Sequence, residues 1–266
     1  MTDILPVHYL DYLPIWAVFL LSIIFLFGFS EIGSRIGRRR QSTDMGESSQ
    51  SEVIMGALLG LLAFMLAFSF GIADARYEAR KQAVLDEANA IGTTWLRSRM
   101  LPAPHSSQIL PLLKRYVDMR IAGAGSESVE ELREALDHST ELHEKLWRHV
   151  VTLGRDHSRS ITLGLFIDSL NDVIDLHETR VTIAHYRMPT SIWVALYLIA
   201  FAAMTMVGLH AGLSGGRSLL VTVLLTATLA MAISFVIDLD RPSQTLFSVS
   251  QQSLMDLRET MDHPAR

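Results

Sequence analysis

Cysteine is absent from all 266 residues. That removes disulfides, thiolate catalysis and Cys-ligated zinc or iron–sulfur sites from consideration. Charge is scarce as well: 23 Lys and Arg and 28 Asp and Glu make up 19% of the chain. A soluble domain carries roughly 25%. The net charge of −5 lacks the basic excess that a nucleic-acid binder shows. No phosphate loop, zincin motif or dinucleotide fingerprint occurs, so neither an enzyme nor a cofactor site is expected. The first eleven residues, MTDILPVHYLD, hold no Lys or Arg, and no small-x-small cleavage site follows. A cleaved signal peptide is therefore not expected, and the first apolar run reads as retained.

What is present is apolar: 49% of residues are hydrophobic and the mean hydropathy is +0.27. Tyr12–Ser30, Val53–Ala73, Met188–Leu209 and Ser218–Ile237 contain no Asp, Glu, Lys or Arg. Each has about the ~20 residues a helix needs to cross ~30 Å of hydrocarbon. The expected fold is all-α: an integral membrane protein with four transmembrane helices and a helical-bundle insert between the second and third. Arg35, Arg38, Arg39 and Arg40 follow the first run. The positive-inside rule then places that loop in the cytoplasm, with the N-terminus and the insert outside.

Five segments result. Residues 1–52 hold the first span and a basic, polar linker, with 41–52 read as flexible. Residues 53–101 hold the second span, which continues as an amphipathic helix to Pro102 and Pro104. Tyr77, Val84, Ala88, Ile91 and Trp95 form its apolar stripe, with Arg80 and Glu87 on another side. The insert, 102–187, reads as helices near Ser107–Ala122 (stopped by Gly123 and Gly125), from the S-V-E-E capping box at Ser128, and from Ser160 to Arg187. Residues 188–237 hold the last two spans. In 238–266 an amphipathic tail, Ser243–Met261, lies along the insert or the lipid surface.

The candidate chemistry is mostly excluded by context. GLSGG at Gly212–Gly216 fits a nucleophile elbow by letter, but it falls in a loop between spans, where Gly and Ser are turn residues. His143-Glu144 opens like a zinc helix, yet Trp147 occupies the second ligand position. His138 and His149 lie about three turns apart and cannot share a metal unaided. His177 sits in the Phe166, Leu170, Val173, Val181 register and reads as a hydrogen-bonded core histidine. Asp168, Asp172 and Asp175 read as a solvated face paired with arginines.

The second span carries the functional signal. Gly56 and Gly60 make a G-x-x-x-G patch that lets another helix approach closely. Phe64, Phe68 and Ile72 follow at i, i+4 and i+8, a bulky stripe that serves lipid or core packing or forms a constriction gating a pore by dewetting. At the end of the fourth span stand Asp238, Asp240, Arg241 and Pro242. Asp238 and Asp240 diverge by ~200° on a helix and cannot act as a carboxylate pair. The cluster reads first as a helix terminus, with Arg241 pushed to extended geometry by Pro242. A tie between it and Arg76, Arg80 or Glu87 would lock membrane to insert.

FMLAFSFGIADARYEAR (Phe64–Arg80) resembles the second-helix region of the bestrophin anion channels, where phenylalanines four apart line the neck. There an arginine followed by an aromatic comes eight residues after the second phenylalanine, matched here by Arg76 and Tyr77. The resemblance to bacterial bestrophin-like membrane proteins extends to EANAIGTTWLR (87–97), RYVDMR (115–120), Asp175–Trp193 and DLDRP (238–242). It implies a homo-oligomer in the bacterial inner membrane, a pentamer in true bestrophins, conducting an inorganic anion. Phe64 and Phe68 would form the constriction, with Arg76 and Arg80 at its mouth. The calcium site of some bestrophins would need six to eight oxygens, and Asp238 and Asp240 alone supply too few, so no metal is assigned. The alternative is a non-conducting scaffold or sensor whose insert recruits a protein partner. Membrane lipid surrounds the spans in either case.

Overall fold

The computed structural model describes residues 13–40, 45–124, 129–156, 159–216, 218–241 and 248–263. It holds eight helices and no strand among those residues: α1 Ile15–Arg39, α2 Met45–Ser98, α3 His105–Ala124, α4 Val129–Asp156, α5 Ile161–His185, α6 Thr190–Leu213, α7 Leu219–Asp240 and α8 Gln252–Asp262. The capping box at Ser128, the Gly125 stop, Pro242 and Ser243 lie outside the described residues. Four helical stretches are long and apolar enough to cross a membrane. They are α1, one within Ser49–Ser98, one within Ile161–Leu213, and α7. Two compact units divide the chain. The first takes residues up to 77 and 185–248, the second 78–184 and 249 onward.

In the first unit α1 lies against α6, and the approach depends on missing side chains. A Cβ on Gly33 would meet the backbone of Thr205 and Leu209, and one on Gly208 would meet Ser30 and Ser34. Gly37 and Gly212 face each other one turn further along. Two G-x-x-x-G patches, Gly33/Gly37 and Gly208/Gly212, thus interlock, and only glycine fits at that distance. Beside them Phe29 stacks on Phe201 at 4.4 Å, and Ser22 Oγ meets the Tyr197 hydroxyl at 3.0 Å. Because the packing continues past the uncharged run, α1 runs nine residues beyond Ser30. The Glu31–Arg35 pair, 3.2 Å apart, supports that extension. In α7, Ser218 caps the first turn by accepting from Val221 N.

The second unit is built around Ile91, Ile109, Leu113, Val117, Leu146, Phe166, Leu170 and Val173. These come from α2, α3, α4 and α5, the faces the apolar periodicity indicates. The C-terminal tail belongs here: α8 buries Leu254 and Met261 in the same core. Its outer side is tied to α3 by Lys114 to Asp262 at 2.7 Å and Arg258 to Asp118 at 2.6 Å.

Two expectations are corrected. Residues 45–52 are the first turns of α2, not linker, because a helix already nucleated in the span propagates outward at little cost. Arg80 and Glu87 are buried, so they share the covered side of α2 with the apolar stripe.

The glycine contact gives a direct test. Replacing Gly208 by valine inserts atoms where the Ser30 carbonyl sits. Overpacking of a core ordinarily costs about 1–3 kcal/mol, and backbone yields less than side chains do. Gly208→Val is expected to lower the thermal midpoint of detergent-solubilised protein by several degrees and to broaden its size-exclusion peak. Gly28→Ala, whose Cβ meets open space, is expected to leave both as they are.

Candidate functional site

The apolar part of α2 is the least covered of the four spans: 11% of its window is buried, against 22% to 39% for the others. Leu62, Ser69 and Ala73 mark the covered side. On the opposite side Gly56 and Gly60 meet nothing within the chain, and Phe64 and Phe68 are 65% and 52% exposed. Ile72 is partly buried and packs against the apolar core of the first unit. At ~100° per residue the exposed stripe continues to Glu78, ~40° from Phe64, with Asp74 at its edge, ~80° away. Both carboxylates are exposed. Arg76 and Arg80 project ~120° and ~160° from Phe64 on the same reckoning.

Arg76 belongs to the DLDR end of α7. Its Nη1 lies 3.6 Å from Asp240 Oδ1. The Asp240 carboxylate also accepts from Met188 N at 3.0 and 3.2 Å, and Arg187 donates to the Asp240 carbonyl at 2.6 Å. Asp238, Asp240 and Arg241 are all buried. Arg241 has φ −75° and ψ 138°, the extended geometry expected before proline. The cluster is therefore more than a helix terminus. It joins the end of α7, the turn before α6 and the covered side of α2, and buried charges of this kind persist only when paired.

Glu87 has its own partners, all in the second unit. Its carboxylate, fully buried, accepts from the Tyr116 hydroxyl at 2.8 Å, from Arg120 Nη2 at 3.2 Å and from Arg180 Nη1. Arg120 Nε sits 2.7 Å away as well, close enough for ion pairing but too badly angled for a hydrogen bond. Arg180 Nη2 reaches Gln251 Oε1 at 2.7 Å, which ties α5 to the segment leading into α8. Above the ion pairs His177 Nδ1 lies 3.3 Å from the Tyr116 hydroxyl, and His143 stands edge-on to His177 at 5.0 Å. His143 Nε2 is buried with no hydrogen-bond partner among the described residues.

This polar core went unread in the sequence, except that His177 was expected as a hydrogen-bonded core histidine. Its signal was the placement of Glu87 one residue from Ala88 in the buried register, which a charge-means-surface rule overlooks. Burial pushes His143 down to about 4, and the Arg120 guanidinium adds to that while Glu87 opposes it. Burial, and then the charge of Glu87, hold the Tyr116 phenol well above its ordinary range. Both groups are therefore neutral near pH 7.

Asp168 is exposed and lies 3.6 Å from Arg97. GLSGG is the end of α6 followed by a turn in which Gly215 has φ 65°, with no strand before it. No three His, Asp or Glu side chains converge as a metal ligand set among the described residues.

Two outcomes are expected from the polar core. Glu87→Gln leaves Arg120 and Arg180 buried without their counter-charge, and breaking such a group costs about 3–5 kcal/mol. Amide hydrogen exchange in α3 and α5 should speed up accordingly, while exchange in α1 stays slow. The second outcome concerns pH. A histidine with a depressed folded value contributes stability that is complete above ~6.5 and is lost as pH falls towards about 4. Protection of α4 should decline across that window, and His143→Phe should flatten the decline.

The geometry has counterparts. The Bestrophin-like domain family matches residues 19–254. A crystal structure of a bacterial bestrophin homologue from Klebsiella pneumoniae, in a variant form, superposes with a TM-score of 0.68 at 16% identity. The match covers 91% of this chain and 96% of that one. A second structure of the homologue, obtained by Zn-SAD phasing, gives 0.65 at 16% over 90% and 96%. At such identity the likeness is one of fold. Sequence comparison with curated proteins finds no match. With its family match covering most of its length and its fold shared with the Klebsiella homologue, this chain belongs to the bestrophin-like family of membrane proteins.

Proposed function

We propose that the chain is the subunit of an oligomeric ion channel in which α2 of each copy lines an axial pore. The observation that carries this reading is the uncovered stripe of α2, with Gly56, Gly60, Phe64 and Phe68 on the side opposite Leu62, Ser69 and Ala73. Copies arranged about an axis would cover that stripe, and membership of the bestrophin-like family supports the arrangement. Phe64 and Phe68 form the constriction in this reading, with Ile72 at its edge. A ring of phenyl groups closes a narrow pore by expelling water and opens by widening slightly.

The resemblance to bestrophin anion channels makes an inorganic anion the first choice of ion. In that version Arg76 and Arg80 supply positive potential at the pore end, although both sit on the covered side of α2, with Arg76 ion-paired to Asp240. A specific observation favours a second version. The carboxylates of Asp74 and Glu78, not the guanidiniums, continue the exposed stripe. Carboxylate rings attract cations, so the same pore would then select them.

Purified protein reconstituted into planar bilayers is expected to conduct, and Phe68→Ala is expected to raise the current severalfold by removing the dewetting barrier. The reversal potential in a salt gradient decides the sign of the ion. A shift towards the anion potential on converting Asp74 and Glu78 to Asn and Gln identifies the cation version. Silent bilayers containing folded oligomer would sink the channel and leave the scaffold reading, with the insert as its partner-binding part.

A further inference from the structure

One site in the insert is independent of the channel reading. Between α3 and α4 lies a cleft of about 480 Å³ lined by His105, Gln108, Lys145, Arg148, His149 and Thr152, with one apolar side chain. Its polar lining contains two fixed positive charges, two imidazoles, an amide and a hydroxyl, and no carboxylate. His105 is the first residue of α3, whose opening turn carries the positive end of the helix dipole.

The imidazoles are arranged in an unusual way. His105 Nδ1 and His149 Nδ1 are 3.0 Å apart, with the rings edge to face at 86°. At that separation one Nδ1 donates and the other accepts, so the two rings hold one proton between them. The accepting ring then carries its own proton on Nε2, which is free to donate elsewhere. Burial, the neighbouring His105 and Arg148 all disfavour a charge on His149. The cleft thus resists a further proton on His149, and a bound anion would oppose the repulsion from His105 and Arg148. Among the described residues, the carboxylate within ion-pair distance of these groups is Glu141, 3.7 Å from Lys145 on the same helix.

Two other accounts compete. A purely structural histidine pair explains the 3.0 Å contact but not why Lys145 and Arg148 line the same cleft. A transition-metal site would have two nitrogens, no carboxylate and two repelling cations beside it, short of the four ligands zinc takes. We propose instead that the cleft between α3 and α4 binds a doubly charged oxyanion of the phosphate-monoester or sulfate class. Lys145 and Arg148 supply fixed charge, and His149, hydrogen-bonded to His105, takes up a proton as the anion enters. Guanidinium and imidazolium donors to such oxygens are charge-assisted and are roughly twice as strong as neutral ones.

Sulfate is the suitable probe, because its own charge does not change across the range in which imidazole titrates. The full-length protein in uncharged detergent is titrated calorimetrically with sodium sulfate at constant ionic strength, at about pH 5.5 and about pH 8, on either side of ~6.5. Affinity is expected to be about tenfold higher at the lower pH. His149→Gln should abolish that pH dependence, and the Lys145→Gln, Arg148→Gln double variant should weaken binding about tenfold at both values. These residues are at least partly exposed, so folding should survive the changes, and the pH comparison on unmodified protein stands without them. Bilayers containing phosphatidic acid identify the source. Competition with sulfate supports a lipid headgroup, and its absence with binding intact supports a soluble phosphate compound. Absence of sulfate binding at low pH, binding unchanged in the variants, or zinc chloride binding that His149→Gln abolishes would overturn the proposal.

Discussion

Hydrocarbon offers a backbone amide no hydrogen-bond partner, and the first unit is organised by that constraint. Every spanning segment must close its own ladder, so only helices serve, and the four uncharged stretches become α1, α6, α7 and the first part of α2. Lipid also removes the ordinary hydrophobic drive between helices, because a tail is as apolar as a leucine. What remains is close contact. The interlocked Gly33/Gly37 and Gly208/Gly212 patches bring two backbones to a distance no side chain allows, and dispersion between the helices grows with that closeness. The charged groups of the first unit concentrate where these helices end, with Asp240 drawing together Met188, Arg187 and Arg76.

The second unit solves a different problem. Its helices have water on one side, so ordinary amphipathic faces suffice to assemble Phe166, Leu170, Ile91 and their neighbours. Against that background the Glu87 cluster is an addition that burial does not require. A carboxylate held by two guanidiniums and a phenol gives little net stability compared with apolar packing, but it tolerates only one arrangement of donors. Glu87, Tyr116, Arg120 and Arg180 come from α2, α3 and α5, so satisfying one carboxylate fixes the register of three helices at once. The Arg180 bond to Gln251 brings the segment before α8 into the same network.

Much of this was legible in the sequence. Uncharged length marks the spans, and Leu, Ile and Phe periodicity marks the buried faces of the insert. The proline that follows Arg241 gives that residue its extended geometry. Three features were not legible, each for a physical reason. Residues 45–52 look like linker because helix propagation from a neighbouring span leaves no mark in local composition. Glu87 and Arg80 read as lying on another side of α2 from the apolar stripe because their charge separates them from it in the sequence, and the partners of Glu87, Arg120 and Arg180, are distant in sequence. The G-x-x-x-G rule singled out Gly56 and Gly60, whereas the pairs that meet inside the chain are Gly33/Gly37 and Gly208/Gly212. The motif states that a close approach is possible, and it cannot state which helix approaches.

That last point bears on α2. An open glycine proves little by itself, since Gly28 and Gly71 also meet nothing within the chain. The argument rests on the stripe as a whole. A face made for lipid has no use for glycine, which loses about 0.5–1 kcal/mol of helix stability relative to alanine and offers hydrocarbon no surface. It has still less use for carboxylates about two and three turns beyond the second phenylalanine. Gly56, Gly60, Phe64, Phe68 and Glu78 on one side run from small to bulky to charged along the axis. Small residues permit crowding of helices, bulky rings narrow the space between them, and carboxylates need water. That order suits copies of α2 converging around an aqueous path better than it suits a helix surrounded by acyl chains.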